Sequence, residues 1–179
     1  MRIIAGSRKG ARIFAPKGHE TRPTGDRVRE AAFNLIGPVD GTSVLDLYAG
    51  SGAMGLEALS RGADKAVFVE DDREACRAIN RNLEKLELTG ATVLCQDAVR
   101  AIGQEAGAGR RYDLVLVDPP YDMLLSLQNA LSRYVPTLLA EDGIVVVESD
   151  AKHEPELPPL ATRTSRRYGS ARLTVFEHP

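Results

Sequence analysis

Several residue types are scarce in this chain of 179 residues, and each shortage narrows the possible functions. There is no tryptophan, and there are only two cysteines and three histidines. Cys76 and Cys95 have no CxxC partner, so we expect buried thiols rather than a disulfide or a metal site. The histidines are scattered along the chain, which argues against histidine catalysis. We expect no metal.

Long apolar segments are also missing. No apolar run approaches the roughly 18 residues that a membrane-spanning helix needs, and no signal-peptide pattern is present. We therefore expect a cytoplasmic protein that has no membrane partner. We also expect a monomer, although no sequence feature bears on the oligomeric state. The length and a hydrophobic content of 43% suit one compact domain with a small extension.

The net charge of −2 conceals an uneven distribution of charge. Residues 1–34 carry eight basic and three acidic side chains, a net charge of +5, whereas the remaining residues carry −7. A basic segment on an acidic body favours a polyanionic partner, although a merely solvated terminus would look the same. We expect residues 1–37 to form a basic, RNA-contacting extension and residues 38–179 to form the main domain.

The extension combines a hairpin with a helix. Two β-like runs, residues 2–6 and 11–15, flank a polar linker and predict the hairpin. Thr24 or Asp26 can cap the helix that follows. Its apolar stripe comprises Val28, Ala31, Ala32, Leu35 and Ile36, and its predicted solvated face carries Arg27, Arg29 and Glu30.

Strands and helices alternate in the main domain. Apolar runs at residues 44–48, 65–70, 91–95, 112–117 and 143–148 predict five buried parallel strands. Helices are predicted to end at Ser60 and to span residues 73–86 and 124–139, with a possible kink at Pro136. A short helix and a loop over residues 103–111 precede the fourth strand. The segments 162–168 and 171–177 alternate around Gly169 and predict a terminal hairpin.

A glycine-rich turn follows the first strand. Gly50, Gly52 and Gly55 allow a tight turn and a close approach of a ligand, and the helix behind them directs N–H groups at that ligand. Glu70, at the end of the second strand, is placed to bind ribose hydroxyls. Both NAD and S-adenosylmethionine suit this pattern. The terminal hairpin favours S-adenosylmethionine, because five parallel strands closed by a hairpin are the layout of its methyltransferases.

The motif Asp118-Pro119-Pro120-Tyr121 follows the fourth strand, where open α/β sheets place their active sites. Two prolines make the turn rigid, so that the Asp118 carboxylate and the Pro119 carbonyl can accept both hydrogens of one planar amine. Tyr121 offers an aromatic face to a flat base. These groups would stabilise the positive charge that develops on an amine during methyl transfer. A rigid loop without function is the alternative.

The chain resembles the RsmD family of bacterial 16S rRNA guanine-N2 methyltransferases over almost its whole length. The resemblance rests on residues 2–6, 22–34 and 45–62 and on the motif at residues 118–121. It implies the class I S-adenosylmethionine-dependent methyltransferase fold, with a mostly parallel seven-stranded sheet. It also implies a guanine in the small ribosomal subunit, or in its assembly intermediates, as the substrate. The family usually has phenylalanine where this chain has Tyr121.

The resemblance implies specific roles for residues of this chain. The cofactor would contact Asp46, Ala49, Gly50, Ser51, Gly52, Glu70, Asp97 and Ala98, with capping of a helix as the alternative role of Asp97. Asp118, Pro119 and Tyr121 would hold the target amine. The residues predicted to bind RNA are Arg2, Arg8, Lys9, Arg12 and Arg22 in the basic extension, with Thr24 and Arg27 near the mouth of the site.

Three other functions remain open at this point. Adenine N6, cytosine N4 or a protein glutamine amide could replace guanine N2 as the acceptor. The chain could instead be a non-catalytic RNA-binding assembly factor. The NAD oxidoreductase alternative depends on the glycine turn and Glu70 alone.

Overall fold

The structure is a computed structural model that describes residues 1–16 and 25–179. In chain order its elements are α1 (Asp26–Ile36), β1 (Ser43–Leu47), α2 (Ala53–Ser60), β2 (Lys65–Glu70), α3 (Arg73–Leu86), β3 (Ala91–Cys95), α4 (Ala98–Gly107), β4 (Tyr112–Val117), α5 (Leu124–Leu138), β5 (Leu139–Asp150), β6 (Ala161–Tyr168) and β7 (Ala171–Glu177). A single 3₁₀ turn, Tyr121–Met123, precedes α5.

The seven strands form one sheet in the order β3-β2-β1-β4-β5-β7-β6. The first five strands are parallel, and β7 pairs antiparallel with both β5 and β6. The central strands are buried on both faces, because α1, α2 and α3 cover one face and α4 and α5 cover the other. The predicted class I methyltransferase fold is thus confirmed.

The strand order reverses between β1 and β4. β1 leads outward through β2 to β3, whereas the chain then returns to place β4 on the other side of β1. Leu47 is in register with Val69 of β2 and with Val117 of β4, so the segments that follow these three strands emerge side by side. Open α/β sheets bind their ligands at such a switch point.

The N-terminal segment folds back on itself and shares the core of the main domain. An antiparallel bridge joins Arg2 to Arg12, and the amide of Ile3 donates to the carbonyl of Ala11 at 2.9 Å. Ile3 and Ile13 are buried in the same cluster as Phe33 of α1 and the sheet. The predicted hairpin is confirmed in a shortened form, with one bridge in place of two full strands.

Arg29 corrects the prediction for α1. The sequence pattern placed Arg29 on a solvated face, yet its side chain is fully buried. Its guanidinium donates to the carbonyl of Arg2 and forms ion pairs with Asp26, at 3.1 Å, and with Glu57 of α2, at 3.7 Å. Burial is tolerated because partners from two distant segments surround the charge.

The helix boundaries differ from expectation at three points. α1 begins at Asp26 after Gly25, which makes no side-chain capping bond, and Thr24 lies outside the described residues. α4 continues to Gly107, so the loop predicted over residues 103–111 is helical in its first half. Pro136 does not end α5, which continues to Leu138 with Pro136 in its last turn.

The prediction of separate cysteine thiols is wrong, because Cys76 and Cys95 are paired in a disulfide. The parallel pairing of β2 with β3 places Cys95 beside Glu70, and α3 begins only three residues after Glu70. Cys76, one turn into α3, therefore faces the end of β3, with a Cα–Cα distance of 6.0 Å. Sequence separation alone gave no sign of this proximity.

In the described part of the chain, none of the helices has both the length and the apolarity to cross a bilayer.

Candidate active site

The glycine turn joins β1 to α2 at the switch point of the sheet. Gly50 and Gly52 adopt positive φ angles of 58° and 82°, a region that disfavours other residues. The amide of Gly52 donates to the carbonyl of Ala49 at 2.8 Å and closes the turn. A Cβ atom added at Gly50 would have no atom within 4 Å, so the turn borders open space on the side where a ligand can approach.

Asp46 and Gly55 hold α2 against the sheet beneath this turn. The amide of Gly55 donates to Oδ2 of Asp46 at 2.9 Å, and a Cβ at Gly55 would lie 2.3 Å from the ring of Phe68. Asp46 is 2% exposed, and burial raises its pKa to about 7, opposed by the Gly55 amide and assisted by Glu70. Asp46 therefore supports the turn from below, while a direct contact with the cofactor stays a prediction.

Glu70 lies at the carboxyl end of β2 and is fixed by two backbone amides. Its Oε2 accepts from Gly50 at 2.8 Å, and its Oε1 accepts from Asp72 at 3.0 Å. The side chain thereby connects the glycine turn to the start of α3. Each carboxylate oxygen has a second lone pair, so the anchored carboxylate retains the capacity to accept from ribose hydroxyls.

The ends of β1, β2 and β3 bring Tyr48 close to several carboxylates. Burial, together with Asp97, Asp71 and Glu70, raises the pKa of Tyr48 to about 12, so its hydroxyl stays protonated and can donate a hydrogen bond. Asp97 caps α4 by accepting from the amide of Arg100 at 2.9 Å. This confirms the capping alternative for Asp97, and an adenine contact of Asp97 and Ala98 stays a prediction.

The Asp118 motif lies beside the glycine turn. Asp118 follows β4 directly, its amide faces the carbonyl of Leu47 at 3.4 Å, and Pro119 is buried. A shallow cleft beside Asp118 runs from the sheet to α1 and α2. Its lining residues are Ala32, Met54, Leu116, Val117, Asp118, Val146, Glu148 and Leu173. The arrangement offers carboxylate acceptors at the end of an otherwise apolar cleft.

Three residues of this region were not predicted from the sequence to belong to the site. Tyr48 and Glu148 each stand at the end of a buried apolar run in the sequence, which is the signal that singled out Glu70. Asn82 gave no such signal. Its buried amide donates to the carbonyls of Ser51 and Phe14, at 3.1 and 3.0 Å, and so joins the glycine turn to the N-terminal segment.

The residues predicted to bind RNA differ in their exposure and in their partners. Lys9, Arg12 and Arg27 expose their side chains, and Arg2 is also exposed but pairs with Asp26 at 3.0 Å. Arg8 is largely engaged within the fold, since its guanidinium donates to the carbonyls of Leu86 and Glu87 at the end of α3. Arg22 and Thr24 lie outside the described residues.

Comparison with known proteins places the chain in a family. The family model "Conserved hypothetical protein 95" matches residues 1–177. YlbH of Bacillus subtilis is 40% identical, over 99% of this chain and 98% of that protein. Ribosomal RNA small subunit methyltransferase D of Escherichia coli is 36% identical, over 86% of this chain and 76% of that protein.

A solved structure shows the same similarity in three dimensions. Hypothetical protein TTHA0928 of Thermus thermophilus superposes with a TM-score of 0.85 at 32% identity, over 99% of both chains. The match extends from the N-terminal segment to the terminal hairpin. The chain belongs to the ribosomal RNA small subunit methyltransferase D family, whose sequence model carries the description "Conserved hypothetical protein 95".

Proposed function

We propose that this chain transfers a methyl group from S-adenosylmethionine to the exocyclic N2 amine of a guanine in 16S ribosomal RNA. The observation that carries the proposal is the Asp118-Pro-Pro-Tyr121 motif at the carboxyl end of β4, next to the glycine turn at the end of β1. Family membership makes the chain an S-adenosylmethionine-dependent rRNA methyltransferase. Guanine N2 and the small subunit are the finer part of the proposal.

The residues at the switch point fit the cofactor. The glycine turn borders open space, and α2 begins directly after it at Ala53, where the amides of a helix N-terminus can bind a ligand. Glu70 is held in place by Gly50 and would accept from ribose hydroxyls, while Tyr48 and Asp97 stand at the ends of the strands on either side of it. S-adenosylmethionine would supply a methyl group on a positively charged sulfur.

The Asp118 motif would activate the acceptor amine. The lone pair of a nucleobase amine is delocalised into the ring, which makes the amine a poor nucleophile. The Asp118 carboxylate and the Pro119 carbonyl would accept its two hydrogens and favour the geometry in which the lone pair is available. As the methyl group is transferred, its bond to sulfur would break while the N–C bond forms, and the sulfur would leave as a neutral thioether. The same acceptors would stabilise the positive charge on nitrogen, and this charge would be lost when one amine proton leaves to solvent. The ring of Tyr121 would stack on the base.

The exposed lysine and arginine side chains of the N-terminal segment would bind the phosphates of the RNA backbone. Lys9, Arg12 and Arg27 have solvent-exposed side chains on the part of the molecule whose net charge is positive. Phosphate contacts from such residues position an RNA without reading its sequence. A ribosomal RNA substrate would place the enzyme in the cytoplasm, and we expect it to act as a monomer.

The test is a methylation assay with labelled S-adenosylmethionine. Small ribosomal subunits and naked 16S RNA from a strain that lacks this enzyme serve as substrates, and mass spectrometry identifies the methylated nucleoside. We expect N2-methylguanosine. Asp118→Asn, a variant of equal size, should lower the rate by roughly 10²–10³-fold and leave cofactor affinity, measured by calorimetry, nearly unchanged. The proposal fails if both RNA substrates stay unlabelled, or if the label appears on adenine, cytosine or a protein glutamine.

A further inference from the structure

Glu148 lies in the cleft beside Asp118. It follows Val147 near the end of β5, and Val147 is in register with Val117, the residue before Asp118. Neighbouring strands are about 4.8 Å apart, so the two carboxylates emerge side by side from adjacent strands. Both residues line the cleft, and Glu148 is only 9% exposed.

The surroundings of Glu148 make its carboxylate suitable for accepting a hydrogen bond from a ligand in the cleft. The hydroxyl of Tyr121 donates to Oε1 of Glu148 at 3.3 Å, which connects Glu148 to the ring expected to stack on the target base. The cleft around it is otherwise formed mainly by apolar side chains, among them Ala32, Leu116 and Val146. An ionised carboxylate only accepts hydrogen bonds, and its two oxygens can accept about four in total. A partly buried acceptor of this kind selects for donors.

The Watson–Crick edge of guanine presents two such donors next to each other. The N1–H group and the N2 amine are attached to neighbouring ring atoms, whereas adenine and cytosine have an unprotonated ring nitrogen beside their amine. With the N2 amine at Asp118, the N1–H group would face the neighbouring strand, where Glu148 stands. An adenine or a cytosine in the same position would direct a ring lone pair at a carboxylate, which is repulsive.

We propose that Glu148 is the residue that selects guanine, by accepting a hydrogen bond from N1–H while Asp118 holds the N2 amine. This inference rests on the proposed function and adds a determinant of base specificity to it. Glu148 would touch the substrate directly, next to the ring of Tyr121.

The test compares guanine with 2-aminopurine at the target position of a synthetic RNA. 2-Aminopurine keeps the amine at position 2, but its N1 is an acceptor without hydrogen. The quantity measured is the ratio of kcat/KM for guanine to kcat/KM for 2-aminopurine. Intrinsic reactivity differences between the bases cancel when this ratio is compared between enzyme variants. We expect the ratio to fall by about 10- to 100-fold in Glu148→Gln, because the amide can donate to the N1 of 2-aminopurine.

Tyr121→Phe is the matched control. It removes the hydroxyl that donates to Glu148 but keeps both the ring and the carboxylate. The ratio should stay close to the wild-type value in this variant, whatever happens to the absolute rate. If Tyr121→Phe lowers the ratio as much as Glu148→Gln does, Glu148 acts only through Tyr121 and the inference is overturned.

The remaining outcomes separate the inference from the proposed function. A wild-type ratio in Glu148→Gln overturns the selection of guanine by Glu148 but leaves guanine methylation intact. A wild-type enzyme that methylates neither RNA overturns the proposed function itself. Should Glu148→Gln fail to fold, as judged by circular dichroism, the same ratio is measured on Glu148→Asp, whose carboxylate is withdrawn by one methylene. We expect that variant to lower the ratio as well, and an unchanged ratio contradicts the inference.

Discussion

At the scale of single residues, Asp46 shows how the glycine turn is supported. Its carboxyl group is buried under the turn and accepts from Gly55. Because burial raises its pKa from 3.8 to about 7, the native state holds this proton more tightly than the unfolded chain does. The contribution of Asp46 to stability is therefore greatest at acid pH and declines as pH rises from about 4 to about 7.

This behaviour predicts a difference in pH dependence between wild type and Asp46→Asn, which is neutral at every pH. The unfolding free energy of the wild type, relative to the variant, should fall between pH 4 and pH 7 by at most about 1.4 kcal/mol per pH unit, and then level off. Urea denaturation at several pH values provides the measurement, with the exposed Asp64→Asn as a control for a surface carboxylate. Parallel curves for wild type and Asp46→Asn would contradict the assigned pKa.

Gly50 of the glycine turn and Gly55 of α2 should respond differently to alanine. At Gly55 the new Cβ would meet the Phe68 ring at 2.3 Å, so Gly55→Ala should destabilise the fold by roughly 1–3 kcal/mol through overpacking. At Gly50 the Cβ would meet no atom, and only the positive φ adds a cost, of about 1 kcal/mol. Its methyl group would instead occupy the space proposed for the cofactor.

We therefore expect Gly50→Ala to lose S-adenosylmethionine affinity by more than tenfold with little loss of stability, and Gly55→Ala to show the opposite balance. Calorimetric titration and thermal unfolding of both variants measure the two effects. Equal cofactor affinity in Gly50→Ala and wild type would place the ligand away from this turn.

At the scale of elements, α2 fixes the N-terminal segment to the main domain. Glu57 of α2 is fully buried, and its carboxylate accepts from the amides of Ile4 and Ala5, both at 2.9 Å. Arg61, one turn later, pairs with the same carboxylate at 2.9 Å, and Arg29 approaches it at 3.7 Å. A single side chain thus connects α1, α2 and the first residues of the chain.

Replacing Glu57 with glutamine should release this connection. The amide retains one acceptor oxygen, but its NH₂ group would face backbone amides or guanidinium groups, which leaves buried charges uncompensated. We expect a loss of roughly 3–5 kcal/mol in the free energy of unfolding and faster limited proteolysis within residues 1–16. Glu30→Gln, on the exposed side of α1, serves as the control and should change neither quantity. Wild-type proteolysis rates in Glu57→Gln would show that other contacts hold the segment.

The elements themselves were largely predictable, and their long-range partners were not. β2, α3, β3 and β4 begin and end where apolar periodicity predicted, because local burial patterns determine them. The burial of Arg29 depends on Glu57, 28 positions away in the chain. The pairing of Cys76 with Cys95 depends likewise on the strand order. The spacing of apolar residues predicts which side of a helix is buried. It does not predict which charged side chains from distant segments pack against that side.

At the scale of the whole molecule, the candidate site was predictable as far as strand ends reveal it. Glu70 and Asp118 each follow a buried apolar run, and a parallel sheet brings such positions to one edge. Glu148 carries the same signal at the end of a later apolar run, but its relation to Asp118 requires the register of β4 with β5. The joining of the N-terminal segment to the glycine turn through Asn82 depends on tertiary packing alone.

The uneven charge of the molecule leads to a prediction about RNA binding. Lys9→Ala combined with Arg12→Ala removes two exposed positive charges, so the slope of log affinity against log salt concentration should decrease in magnitude by about 1.4–1.8. Lys65→Ala, at the amino end of β2 and so on the opposite edge of the sheet from the site, is the control and should keep the wild-type slope. Arg8→Ala should act mainly on stability, because its guanidinium caps α3 through the carbonyls of Leu86 and Glu87. Filter binding to 16S RNA between about 50 and 200 mM salt measures the salt dependence of affinity for all three variants. A wild-type slope in the double variant would remove these two residues from the RNA interface, and the polyanion would then have to meet another part of the surface.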